Sequence, residues 1–593
     1  MKILTLNQMD QAVLEADIVV VGAGPAAYAL AHAFARSPVR MLILESGLTQ
    51  PDERHEQLNA VESLAEPSSP TQIERRSRFH SASAPLWSQE MQGYGVRCRA
   101  LGGSTHVWAG KSATFDPIDY EARPWAPHSG WPLDQAQMEP YLDRAASLLN
   151  LGPNCYDDGF WDLYGVPAPQ PAAEPDTLAS FFWQFSRSRA NRLDLTRIGR
   201  ELETLDAPNV QVVLDATVTC LRPDADGQSV SHLEVSSLSG EGRTVRARHV
   251  VLAAGAIENA RLLLQSARAT GHPFGNERDL VGRFLMDHPS AAIGRFRSED
   301  CAAITSRFGF YGLNHQGQVH MYLHGLALTP EIQRRERLLN CAAYMMEDRA
   351  PDDPWMALKR LIRAESASAA GDMMTVLAGS GLVAKGLGTR LLSGPYLPEP
   401  VRRAIIDNYV RYRPNSAVRD YRERGWPHKL TGIDIEAITE QLPQADSRIT
   451  LSDKTDAFGV PLAQVSWRID DDAVRSLIRI GQLIAEQCPK MGLPAPVLAP
   501  WVLNERPEEA GIIDMAHSAG TTRMASDPAE GVVDAQCAVR GLRNLHVAGA
   551  SVFPTVGHAN PTLMLMGMAI RLADHLRETM AREPRVVVNA DAS

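Results

Sequence analysis

The run Asp17-Ile-Val-Val-Val21, followed at once by Gly22-Ala-Gly24-Pro-Ala-Ala27, constrains this chain more than any other part of it. An unbroken apolar run predicts a strand buried on both faces, and the Ala-rich stretch from Pro25 to Arg36 predicts a helix laid closely upon it. Between them the chain must turn tightly at Gly22, admit a ligand to the backbone at Gly24, and let helix and strand touch at Ala27. A helix N-terminus leaving such a turn favours an anion. The second strand, Val39 to Leu44, ends at Glu45, about 20 residues past the second glycine, where a carboxylate can accept from ribose hydroxyls. Together these features predict a βαβ dinucleotide site. They do not choose between a nicotinamide and a flavin, and a glycine turn alone also serves purely structural ends.

Later segments make that choice. His249-Val-Val-Leu-Ala-Ala-Gly255 closes another apolar strand on a small-residue turn before a helix, and Leu545-His-Val-Ala-Gly549-Ala-Ser551 repeats the pattern near the C-terminus. Each turn alone is a common structural device. A βαβ unit revisited by two distant strand–turn segments is the layout of a long cofactor touched by several loops, as FAD is. The expected contacts are Ala254, Gly255, Gly549 and Ala550, with Val218 beyond the strand-like run Val210–Leu214.

Composition narrows the partners. At 593 residues the chain exceeds the usual single domain, so two connected domains are expected. The formal net charge of −11 argues against nucleic acid, which would need a basic face. The seven cysteines show no CxxC pair, so neither a disulfide framework nor a metal site is expected. The first residues lack the apolar core of a secretory signal, and the most lipid-like stretch, Met373 to Ala384, is too short to span a bilayer. A cytoplasmic enzyme is the expectation, its oligomeric state left open.

Two C-terminal motifs carry a resemblance. His517-Ser-Ala-Gly520-Thr-Thr-Arg-Met is followed by Phe553-Pro-Thr-Val-Gly-His558-Ala-Asn560-Pro561-Thr562. With the FAD-type segments at 17–46, 99–125 and 247–290, they resemble the glucose–methanol–choline (GMC) oxidoreductase family, and most closely its pyranose oxidase and bacterial sugar and glycoside dehydrogenase branch. Residues 300–510 match more loosely. The resemblance implies a Rossmann-type FAD domain joined to a substrate domain on an antiparallel sheet (an α/β plus α+β architecture). The mapped expectation is FAD-binding parts at 1–300 and 511–593, a substrate domain at 301–510, and a helical insert at about 351–420. That substrate domain is expected to cover the open side of the flavin.

The resemblance also implies roles. His517 becomes the base that takes the hydroxyl proton, and Asn560, 43 residues later, its partner, with hydride passing to flavin N5. Imidazole suits proton removal near neutral pH, and an uncharged amide can bond the oxygen as charge develops. The plain alternative is that His517 caps a turn and Asn560 initiates the helix that follows, which begins Asn560-Pro561; Pro561 and Thr562 are assigned to the cofactor. His558 is assigned to the flavin surroundings rather than the substrate. Gly102-Gly103-Ser104-Thr-His106-Val-Trp108 resembles the family's flavin-facing loop, in which some members bind the flavin covalently through a histidine. That histidine lies four positions after the second glycine, and Val107 holds the slot here, with His106 one short. FAD held without a covalent bond follows. The histidine of Asp287-His288-Pro289 reads as structural, and Glu440 and Gln441 either reach substrate hydroxyls or shape a turn. The expected reaction is oxidation of a secondary alcohol, a sugar or glycoside hydroxyl, with oxygen or another acceptor reoxidising the flavin. The same chemistry on a non-sugar alcohol, or a lyase with the flavin as bystander, are the alternatives.

Overall fold

The computed structural model describes residues 1–65, 68–81, 84–190, 194–350, 352–363, 366, 368–384, 398–412 and 429–583. Two eight-stranded sheets organise it. At the centre of the first, Val13–Val21 lies parallel between Met41–Leu44 and Gly242–Leu252. Val210–Leu214 and Lys2–Thr5 extend it beyond Met41–Leu44, all in parallel. Leu545–Val547 joins the far half of Gly242–Leu252, also in parallel, so the third strand–turn segment reaches the same sheet edge as the first two. Ile18, Val19 and Val20 are fully buried, as an apolar run covered on both faces must be. The helix Pro25–Phe34 starts with Pro in its first turn, buries its alanines, and packs against the C-terminal helix Thr562–Arg582.

The second sheet is antiparallel, in the order Val497–Leu498, Ser290–Arg297, Leu430–Thr439, Cys341–Arg349, Gln318–Leu328, Leu178–Phe185 and Lys111–Ser112, with Phe310–His315 on Gln318–Leu328. Its two faces do different jobs. Ile433, Ile435 and Ala437 pack with Leu477, Ile480 and Ile484 of the helix Asp471–Lys490. Each such large side chain contributes on the order of 1.5–3 kcal/mol on burial. That helix is capped by Asp470, which accepts from the Ala473 N–H at 2.7 Å. Ile438, one residue past Ala437, points to the opposite face with Leu323 and Phe185, and this face walls a cavity.

The expected boundary at residue 301 does not hold for this sheet. Lys111–Ser112, Leu178–Phe185 and Ser290–Arg297 belong to it, and Val61–Ser63 pairs with Pro461–Ser466 in a third, three-stranded sheet. The run Leu-Ala-Ser-Phe-Phe-Trp-Gln-Phe at 178–185 is mostly apolar, and the sheet interior buries most of it. Within the expected insert the described helices include Pro354–Arg363, Ala369–Ala378 and Glu399–Tyr412, while 385–397 and 413–420 lie outside the described residues. Among the described residues no helix is long and apolar enough to cross a membrane.

Candidate active site

The ends of the parallel strands and the inner face of the antiparallel sheet enclose a cavity of about 1530 Å³. One end is built of backbone. Gly22 has φ +98°, and a Cβ there would stand 2.8 Å from the Ala253 carbonyl, so the turn requires glycine. Gly24 caps the helix in extended conformation, and a Cβ on it would meet no protein atom within 4 Å. The same open space stands before Gly255 and Gly549, at φ +84° and +119°. All three line the cavity. Three bare backbone turns facing one space form a cradle that a long nucleotide fits.

Side chains tie the turns together. The Glu45 carboxylate accepts from the Ala23 N–H at 2.8 Å and the Gly47 N–H at 2.9 Å, holding the first turn while still lining the cavity. Asn259 accepts from the Ala254 N–H at 2.9 Å and donates to Ser551 Oγ at 3.0 Å, joining the second turn to the third. Glu258 meets Arg97 at 2.6 Å, Arg99 at 3.0 Å and Arg261 at 3.1 Å, and Arg261 also holds Asp456 at 2.6 Å. Burial opposes the charge on Glu258, yet the three arginines hold its carboxyl far below the usual range. All five residues line the cavity with one net positive charge, a suitable setting for a cofactor carrying a pyrophosphate. Residues so scattered give no contiguous signal in the sequence.

At the other end His517 and Asn560 meet. Asn560 Nδ2 lies 3.2 Å from His517 Nε2, and both line the cavity. The segment bearing His517 is bonded along Ala550–Val552, with Gly520, Thr522 and Met524 donating to successive carbonyls. Asp287 clamps its start, accepting from the His517 N–H at 2.9 Å and the Met515 N–H at 3.0 Å, and from Tyr94 Oη at 3.1 Å. Burial, helped by the neighbouring Asp514 carboxylate, pushes Asp287 up to about 7. His288 is fully buried and places Nδ1 2.8 Å from His517 Nδ1. Burial, with His288, Lys111 and His80 acting in the same sense, holds His517 well below the ordinary histidine range.

The structure brings Gly22, Gly24, Glu45, Gly103, Ser104, Trp108, Val218, Ala254, Gly255, Gly549, Ala550, Pro561 and Thr562 to this cavity. It does not bring Ala27, Gly102, His106 or His558 there. Ala27 is fully buried, packed between helix and sheet. Gly102 is pressed onto Gly199, whose backbone a Cβ would strike. His106 turns its Nε2 to the Leu101 carbonyl at 2.9 Å, and Val107 faces the cavity instead. His558 sits 3.4 Å from Asp116 with its ring against Phe181. Glu440 is paired with the buried Arg123, and Gln441 accepts from the Asp287 N–H and Trp467 Nε1, so neither reaches the cavity. Sequence reasoning missed Lys111, His80 and Tyr344, which line the cavity, and underrated His288. The pattern Asp-His-Pro held a signal for His288, but nothing in it points to His517.

Comparison with known proteins agrees with this construction. Residues 443–569 match the profile of the family described as GMC oxidoreductase. The chain is 21% identical to the fructose dehydrogenase large subunit of Gluconobacter japonicus, over 95% of this chain and 98% of that one. It is 29% identical to a C-glycoside 3-oxidase of Microbacterium trichothecenolyticum over 26% of this chain and 29% of that one. The crystal structure of pyridoxine 4-oxidase from Mesorbium loti superposes with a TM-score of 0.51 at 16% identity, covering 95% of this chain and 99% of that one. That likeness speaks for the fold, a Rossmann-like FAD domain beside an antiparallel substrate sheet. With cradle, cavity and the GMC oxidoreductase match over residues 443–569 in agreement, the chain is an FAD-dependent oxidoreductase that acts on alcohols.

Proposed function

We propose that the enzyme oxidises a secondary hydroxyl of a sugar or glycoside, with His517 as the base and Asn560 as its hydrogen-bonding partner. The observation that carries the reading is the 3.2 Å approach of Asn560 Nδ2 to His517 Nε2, in the same cavity as the glycine cradle. A hydroxyl oxygen placed between these atoms would give its proton to Nε2 and accept from the amide as negative charge grows on it. His517 is held in its neutral form by burial, so it is ready to accept at neutral pH. FAD bound along the cradle supplies the acceptor for the carbinol hydride. Gly24, Gly255, Gly549 and the arginines around Glu258 would hold the nucleotide, and Val107 in place of a histidine favours attachment without a covalent bond. The antiparallel sheet shields the reacting end from water.

Support for the sugar class comes from the relatives, one named for fructose and one for a C-glycoside. It also comes from the wall near the pair, where Lys111, His80 and Tyr344 offer polar groups beside an aromatic face. The reading places the enzyme with the sugar- and glycoside-oxidising branch of the family. Anaerobic mixing of the purified enzyme with sugars, glycosides and simple alcohols, followed by flavin absorbance, is the test. Rapid bleaching by a sugar or glycoside is expected. Bleaching by simple alcohols alone would reject the sugar class, and none by any alcohol would reject the oxidation.

A further inference from the structure

We infer that His288 sets the tautomer of His517: it keeps the proton of the neutral imidazole on Nδ1 and leaves Nε2 free to accept, resting on the reading of His517 as the base. The argument starts from two like atoms. His288 Nδ1 and His517 Nδ1 lie 2.8 Å apart, so one must carry the hydrogen and the other a lone pair. A backbone carbonyl settles which. His288 Nε2 lies 3.4 Å from the Val556 carbonyl oxygen, which can only accept. His288 therefore carries its hydrogen on Nε2 and offers a lone pair at Nδ1. His517 donates to it from Nδ1, and its own Nε2 lone pair faces Asn560 Nδ2, a donor. The chain Asn560, His517, His288, Val556 is then satisfied at every link. In the reverse arrangement a lone pair on His288 would face the carbonyl, and Nε2 of His517 would carry a hydrogen toward the amide donor and could accept nothing.

Protonated His288 would lose this role, because both of its nitrogens would donate. The surroundings prevent that. His288 is fully buried, and burial pushes it down to about 3. Lys111 from the edge of the antiparallel sheet and His80 from the short helix Ser77–Ser81 add positive potential at His517. On the other side the Asp287 carboxylate is bonded to the backbone N–H groups of His288, Met515 and His517 rather than to either ring. His288 is thus a positioning residue, acting on the reaction only through His517.

The test is 15N NMR of the histidine-labelled holoenzyme, with His517 assigned by its loss in His517→Gln. The Nδ1–H form is expected in the native enzyme, and the Nε2–H form or a mixture in His288→Ala. Flavin reduction in His288→Ala should slow roughly 10- to 100-fold, part of the general base's worth, with FAD content kept. His288→Asn, whose Oδ1 can replace Nδ1 as acceptor, should restore the Nδ1–H form and most of the rate. An Nε2–H form in the native enzyme would overturn the inference. So would an unchanged Nδ1–H form in a natively folded His288→Ala. If His288→Ala does not fold, the native and His288→Asn spectra decide. Failure of the base reading would show separately, as a His517→Ala enzyme that reduces its flavin at the native rate.

Discussion

The two ends of the cavity are made of different materials. The nucleotide end is backbone: three turns whose glycines either adopt positive φ or leave open space where a Cβ would stand. The reacting end and the opposing wall are side chains, drawn from residues as distant as His80, Lys111, His288, Tyr344 and His517. Backbone geometry is written in short contiguous motifs, because a turn is a local object. A wall of side chains exists only after strands far apart in sequence have paired. The first end should therefore respond to substitution through backbone strain and cofactor retention, and the second through rate.

The largest effect expected is on the reacting pair. His517→Ala should slow flavin reduction roughly 10²- to 10⁴-fold in anaerobic stopped flow while leaving FAD content intact. Asn560→Ala should lose less, roughly 10²-fold, since the base remains. Loss of FAD from either variant would erase the division between the two ends.

Next in size, two glycines divide the nucleotide end itself. Gly22→Ala forces a Cβ onto the Ala253 carbonyl at a strained φ, and should destabilise the protein by roughly 1–3 kcal/mol even without FAD. Gly24→Ala meets no protein atom, so the apoprotein should melt within about 1 kcal/mol of the native chain. Its methyl projects into the cradle, and FAD affinity should fall roughly tenfold or more. Thermal melts of apoprotein and flavin titration read the two apart, and equal FAD affinity in Gly24→Ala would remove it from the cofactor's path.

Acid sensitivity should arise on both sides. Burial pushes His546 in the parallel sheet and His324 in the antiparallel sheet down to about 3. The unfolded chain takes protons at these residues below about 6.5, whereas the folded one resists until about 3. Stability is therefore lost as pH falls through that window, by up to about 1.4 kcal/mol per pH unit for each residue. Urea midpoints between pH 7 and 4 should show a shallower slope in His546→Leu and in His324→Leu. A slope unchanged by either would mean that these rings are protonated in the fold.

The smallest change in rate is expected at His558, which lies off the cavity against Phe181. His558→Ala should cost about 1 kcal/mol of stability and leave flavin reduction near its native value. A loss of rate matching that of Asn560→Ala would mean that it reaches the reacting atoms.

The same contrast explains what could be read in the sequence. The βαβ unit was legible because a valine run, a glycine turn and an acid at fixed spacing leave few alternatives. The turns at Gly255 and Gly549 and the residues His517 and Asn560 were legible as motifs. The strand at 178–185 was not, because its partner, Gln318–Leu328, is remote in sequence. For Glu440 the sequence left a substrate contact and a structural role open for a related reason, and only the structure shows that Arg123 occupies the carboxylate. His106 was expected near the flavin because its loop is, but the bond to Leu101 turns the ring the other way.

The clamp at Asp287 bears on how such an enzyme can acquire new substrates. Asp287 grips the backbone of His517 and stands three residues before Ser290–Arg297, which begins its run in the antiparallel sheet. Ser290 is itself bonded to Ile513, just upstream of His517. A mutation that shifts this strand to reshape the wall will also shift the imidazole, so selectivity and turnover are inherited together there. At the opposite edge of the sheet Lys111 acts on His517 through its charge, which weakens the imidazole's hold on a proton. A lineage that replaces this side chain while reshaping the wall retunes the base as well, so selectivity and basicity are inherited together at that edge.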